Sequence, residues 1–168
     1  MDNDILQQVQ SVNLGTVVTD FPVLAPGVVS VTIESIEFEY KENKEGESLP
    51  WAVVKLKLAQ DWKTQPLEGI PSRHIAAGFV LTDNISLKPW TDPKTQEVKN
   101  FGITRLALLR ECVFGKAVEG TVFRPEELIN QAVTVKLTFD PAPKNKKTGE
   151  VYGPQTVVDT YIRRKATS

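Results

Sequence analysis

"VVSVTIESIEFEYKE", Val28 to Glu42, decides how this chain is read. Val29, Val31 and Ile33 share one parity, and Ile36, Phe38 and Tyr40 share the other. Side chains of a strand alternate between two faces, so a change of parity at Glu34–Ser35 requires one extra residue, a β-bulge. A bulge bends and coils a strand sharply, which is what a small barrel needs of its first strand.

The polar turn "KENKEGES" leads into a second strand, "LPWAVVKLKLAQDW". Ala52, Val54, Leu56 and Leu58 form its apolar face, and Trp51, Val53, Lys55 and Lys57 fall on the opposite one. After the loop "DWKTQPLEGIPS", "RHIAAGFVLT" reads as strand three, with Ile75, Ala77, Phe79 and Leu81 inward and Gly78 marking a tight bend or a close neighbour. Residues 83–100 read as a long polar connection. "FGITRLALLREC" has helical spacing, with Ile103, Leu106, Ala107, Leu108 and Leu109 apolar, Arg105, Arg110 and Glu111 pointing away, and Asn100 or Thr104 as the cap. "RPEELINQ" is a helical turn opened by Pro125. "AVTVKLTFD" is strand four, with Lys136 outward, and "QTVVDTYIRR" is strand five, joined to it by the Lys-, Gly- and Pro-rich "PAPKNKKTGEVYGP".

The order is β-β-β-α-β-β. Three strands, a helix, then a hairpin predicts a mainly β protein, a five-stranded OB-fold barrel with the helix between strands three and four. A β-sandwich with an added helix is the alternative. The domain is expected over 27–165, with an N-terminal arm over 1–26 and a frayed tail over 166–168.

The chain has 168 residues, enough for one domain, and its 40% hydrophobic and 24% charged content argues against wholesale disorder. No apolar run approaches the roughly 18 residues of a membrane span. The acidic, polar start "MDNDILQQVQ" lacks the pattern of a secretory signal, and the single Cys112 has no internal disulfide partner. Both lead to the expectation of a cytoplasmic protein without membrane partners. Net charge is −1, but its distribution is uneven: residues 1–50 carry two lysines against nine acids, and residues 134–168 carry seven bases against three acids. Such a gradient fits either a polyanion partner for the basic part or an unevenly solvated surface.

Catalytic chemistry has little support. One His and one Cys do not make a zinc site, and there is no glycine-rich phosphate loop. His74 lies in a strand with no nucleophile motif nearby, and Cys112 reads as a small core residue. A protein without enzymatic activity or cofactor is expected.

What the sequence offers is lysine and aromatic residues together on β surfaces. Single-stranded nucleic acid is held by that combination: cations track the backbone and aromatic faces stack on unpaired bases. OB-folds place this surface on strands two and three and on the loops between strands one and two and between four and five. The candidates are Trp51, Lys55 and Lys57, then Trp62 and Lys63, then Arg73 and His74 at the start of strand three. Lys88 and Trp90 lie in the long connection, Lys136 on strand four, and Lys144, Lys146, Lys147 and Tyr152 in the loop after it. For each tryptophan, packing is the rival reading, and Lys55 and Lys57 could equally guard a strand edge.

Four stretches, "LAPGVVSVTIESIEF", "ITRLALLREC", "RPEELINQAVTVKLTF" and "KTGEVYGPQTVVDTYI", together resemble a family of small bacteriophage proteins. The matching positions are Ala25-Pro26-Gly27, Leu106 to Leu109, Leu128-Ile129 to Leu137, and Gly149-Glu150 to Tyr161, and the likeness spans roughly residues 24–164. Asn130 stands where that family usually has glycine, and the connection over 83–100 is long. No acidic tail of the kind used to recruit partners is evident. The resemblance implies an OB-fold that binds single-stranded DNA, largely without sequence preference, in phage DNA replication or recombination. Its expected partners are single-stranded DNA or RNA, replication or recombination proteins, and further copies of itself. The alternative is an OB-fold protein-interaction module, an inhibitor or adaptor that binds no nucleic acid.

Overall fold

The computed structural model describes residues 6, 7, 10, 23–141 and 153–163. Its centre is a five-stranded antiparallel sheet built from β1 (Gly27–Glu42), β2 (Ser48–Leu58), β5 (Val80–Ser86), β8 (Ala132–Asp140) and β9 (Gln155–Ile162). The strand order is β5-β2-β1-β8-β9. Two small ribbons, β3 (Trp62–Lys63) with β4 (His74–Ile75) and β6 (Trp90–Thr91) with β7 (Val98–Lys99), sit beside it. Helix α1 (Phe101–Phe114) and the single turn α2 (Pro125–Leu128) lie between β7 and β8.

The bulge expected in β1 is present. Pairing with β2 shifts between Ile33 and Ser35, and Val29, Val31 and Ile33 are buried before the shift as Ile36 is after it. The bend also changes β1's partners. Gly27–Thr32 pair with β8 on one side, whereas the residues beyond the bulge pair with β2 alone among the described residues. Asn130 supports the corner: its N–H donates to Ile33 O at 2.8 Å, and its φ of 68° is the left-handed conformation that asparagine tolerates best after glycine.

The core is the inner face of the sheet closed over by α1. Ala52, Val54, Leu56 and Leu58 are at most 2% exposed, as their alternation predicts. From α1, Leu106, Leu109, Cys112 and Val113 pack onto them. Asn100 caps the helix, its side chain accepting from Ile103 N–H at 3.1 Å and donating to Leu87 O at 2.8 Å. Gly102 lets the helix approach β5, because a Cβ there would run into the Ser86 carbonyl.

Four expectations change. Strand three does not run over 73–82. Gly78, at φ 102°, breaks it, and the long strand is Val80–Ser86, four residues further into what reads as connection. Ala77, expected inward, is exposed, its N–H bonded to Asp61 Oδ1. Ile103, expected on the apolar face of the helix, is 58% exposed, while Arg105, expected to point away, turns toward the sheet. Within the stretch read as an N-terminal arm, Leu24 and Ala25 are buried, and Ala25 N–H donates to Lys63 O.

The sheet curls so that its outer strands meet, but no backbone ladder joins β5 to β9 among the described residues, so a closed barrel is not formed. Side chains span the seam instead. Tyr161 Oη on β9 donates to Asp83 Oδ2 on β5 at 2.6 Å. Arg105 Nε donates to the same oxygen at 2.9 Å, and the other guanidinium nitrogens reach Val158 O at 2.6 Å and Asp159 O at 3.0 Å. Arginine thus caps carbonyls that a closing strand would otherwise engage.

Candidate nucleic-acid interface

The outer face of β1, β2 and β5 follows from the same alternation that builds the core. On β2 it carries Trp51, Val53, Lys55 and Lys57 in one column. The register sets Ser86, Asn84, Thr82 and Val80 of β5 opposite these four in turn. On the other flank β1 sets Glu39 opposite Trp51, Glu37 opposite Val53, Ser35 opposite Lys55 and Thr32 opposite Lys57. The β5 side of the column is therefore uncharged, whereas the β1 side carries Glu39 and Glu37 opposite Trp51 and Val53, and Glu34, at the bulge, lines a shallow cavity with Thr32 and Lys57.

Trp51 is partly buried at the acidic end. Lys41 Nζ lies over its ring at 5.4 Å from the centroid and 3.3 Å from Glu39 Oε1. The ring therefore already receives a cation, a contact of the cation–π kind. Lys55 and Lys57 are exposed.

The structure separates the remaining candidates. Trp62 is engaged in packing: its Nε1–H donates to Ala25 O at 2.8 Å, and its six-membered ring occupies the space a side chain on Gly27 would need. Its neighbours Lys63 and His74 face each other across the β3–β4 ribbon, both exposed, with Arg73 adjacent. His74 Nε2 is 3.7 Å from Asp61 Oδ2. Lys136 lies on the outer face of β8 opposite Val28, 3.9 Å from Asp159 Oδ2. Lys144, Lys146, Lys147 and Tyr152 lie outside the described residues.

The β6–β7 ribbon holds the third group. Trp90 is 44% exposed and its ring centroid lies 5.7 Å from that of Phe101, itself 62% exposed. Lys99 stands opposite Trp90 in the ribbon, and Lys88 Nζ is 3.9 Å from Glu47 Oε1 in the β1–β2 turn. Phe101 and Lys99 do not stand out in the sequence. The available signal is Phe101's place at the helix start, off the buried stripe of Leu106 and Leu109. The residues thus form three groups: the β2 column, the Lys63–Arg73–His74 ribbon, and the Trp90–Phe101 pair with its lysines.

Cys112 is 2% exposed, and burial pushes its thiol pKa up, with Glu111 adding to the rise and Arg163 opposing it. Such a thiol is a poor nucleophile. Among the described residues no group of three His, Cys, Asp or Glu side chains is placed to hold a metal ion, and no helix is long and apolar enough to cross a membrane. No family model matches the chain, and no curated protein sequence matches it.

Proposed function

We propose that this chain is a non-enzymatic OB-type protein that binds single-stranded DNA along the outer face of β2 and β5. The observation that carries the reading is the β2 column: an aromatic residue and two exposed lysines on one strand face, bordered on β5 by Thr82, Asn84 and Ser86. Lysines meet the backbone there, Trp51 offers a ring to a base, and the uncharged β5 border does not repel phosphate. The strand order β5-β2-β1-β8-β9, with the helix between the third and fourth long strands, supports the OB-type reading. A role in phage DNA replication or recombination rests on the sequence resemblance alone.

Titration of a labelled oligo-dT at two salt concentrations tests the proposal. Binding should weaken as salt rises, because each phosphate contact releases a counterion. Trp51→Ala should cost about 1–3 kcal/mol, the usual worth of one stacked base. Replacing both Lys55 and Lys57 by alanine should flatten the log–log salt slope by about 1.4, from about 0.7 per lost phosphate contact. No binding at low salt, or tighter binding to duplex, overturns the reading. A parallel titration with oligo-rU separates DNA from RNA preference.

Glu37 and Glu39 beside Trp51 favour a second reading, a protein-docking face. Tryptophan fluorescence discriminates. Trp62 is packed, so quenching by oligo-dT reports on Trp51 and Trp90 and supports the first reading, whereas an unchanged spectrum supports the second.

A further inference from the structure

The bulge that bends β1 also leaves half of it without a strand partner on one side, among the described residues. Up to Ile33, β8 and the turn before it cover that edge: Ile33 N–H donates to Gln131 O, and Asn130 N–H donates to Ile33 O. In a strand the side-chain direction and the backbone hydrogen-bonding direction are coupled. Inward residues such as Ile33 therefore turn their N–H and C=O away from β2. After the bulge Ile36, Phe38 and Tyr40 share the parity of the inner face, so their backbone groups point to a side where β1 has no strand partner among the described residues. Phe38 and Tyr40 are also 52% and 76% exposed. Among the described residues, backbone without a strand partner and exposed aromatic side chains thus fall on the same positions, and an edge of this kind is a template for another strand.

We infer that this edge is a self-association surface, on which β1 of one copy pairs antiparallel with β1 of a second copy about Tyr40. The charge pattern selects the occupant. In the register centred on Tyr40, Glu39 of each chain lies opposite Lys41 of the other, and Glu37 lies opposite Asn43. No two carboxylates are directly opposed. Acidic residues alone would guard the edge against pairing. Lys41, two residues from Glu39 on the same face, makes the series self-complementary instead, and opposite charges across a ladder stabilise it. A two-fold axis through Tyr40 generates a closed, isologous dimer. Both Trp51 columns then lie on one side of a continuous sheet. The inference does not depend on nucleic-acid binding.

Sedimentation analysis of the full chain across a dilution series, without nucleic acid, tests it. Wild type should dissociate from dimer to monomer on dilution. Lys41→Glu should weaken the dimer about tenfold, because two attractive cross-strand pairs become repulsive. Adding Glu39→Lys to Lys41→Glu should restore it. Tyr40→Pro removes a donor on the open edge without removing one that faces β2, so it should give a folded monomer. A wild type that is monomeric throughout, or dimers unaffected by Lys41→Glu and by a Tyr40→Pro variant shown to be folded by circular dichroism, overturns the inference.

Discussion

Arg105 shows how a single side chain can reverse a helical-wheel assignment. Its position places it among the polar residues of α1, yet its guanidinium binds Asp83 and two carbonyls of β9. Asp83 is only 9% exposed, and as a buried carboxylate it requires such partners. Tyr161 is the third member. Burial drives its phenol pKa up, the neighbouring Asp83 carboxylate adds to the rise, and Arg105 opposes it. A phenol held neutral in the fold but free to ionise at about pH 10 when unfolded stabilises the protein fully below that pH. The contribution is lost as pH rises above it, since the unfolded state alone then releases the proton. Urea melts at rising pH should show wild type losing stability above about pH 10. Tyr161→Phe should be less stable at neutral pH, by about 1.5–3 kcal/mol for the lost bond to a charged group, but flatter in the alkaline range.

At the scale of elements, the contact between α1 and β5 sets both the helix position and the length of the third long strand. Gly102 permits the approach, and Asn100 ties the helix cap to Leu87. Gly102→Ala would favour the helix by intrinsic propensity, about 1 kcal/mol. The added methyl would nevertheless collide with backbone, and forced core insertions cost about 1–3 kcal/mol or more. Packing outweighs propensity at this site, so thermal unfolding should show a net loss of stability, whereas an Ala substitution at exposed Thr104 should be nearly neutral. The bulge in β1 is legible in the sequence because two runs of β-branched and aromatic residues differ in parity, and parity is a local property. The third strand is not. "TDN" has the composition of a turn, and what makes it strand is its ladder with Val53, Val54 and Lys55 of β2, a pairing that the local composition does not reveal.

For the molecule as a whole, the seam between β5 and β9 is the informative feature. Four strand pairings are backbone ladders, whereas this approach depends on the Asp83–Arg105–Tyr161 cluster. Hydrogen exchange should therefore be slowest in the β1–β2 ladder. Arg105→Ala leaves a buried carboxylate without its cation, a change that costs about 3 kcal/mol when burial is complete and less here, with Arg105 at 24% side-chain exposure. Its loss of protection should concentrate in β5 and β9, because these strands lose their link while the ladders of β1 with β2 and β8 persist. Uniform loss across all five strands would show that the seam is no weaker than the rest.

The candidate site is partly legible in the sequence for the same reason as the core. Alternation alone places Trp51, Lys55 and Lys57 opposite the buried column of β2, and it identifies them by spacing two. It does not say what lies on the adjacent strands. That Glu37 and Glu39 border Trp51 while β5 offers neutral groups depends on register, and register depends on the bulge and on the turn lengths. Trp62 and Trp90 are equivalent in sequence, but a backbone acceptor on Ala25 packs the first, and the second stays exposed beside Phe101. The apolar faces of β2 and β8 and the bend in β1 can be read from the sequence alone, because each rests on periodicity within one segment. Tertiary contacts set the burial of Asp83, the inward turn of Arg105, the extent of the third long strand, the separate uses of the tryptophans and, among the described residues, the unpartnered edge of β1. Each of those depends on groups far apart in the chain that meet only when the sheet curls.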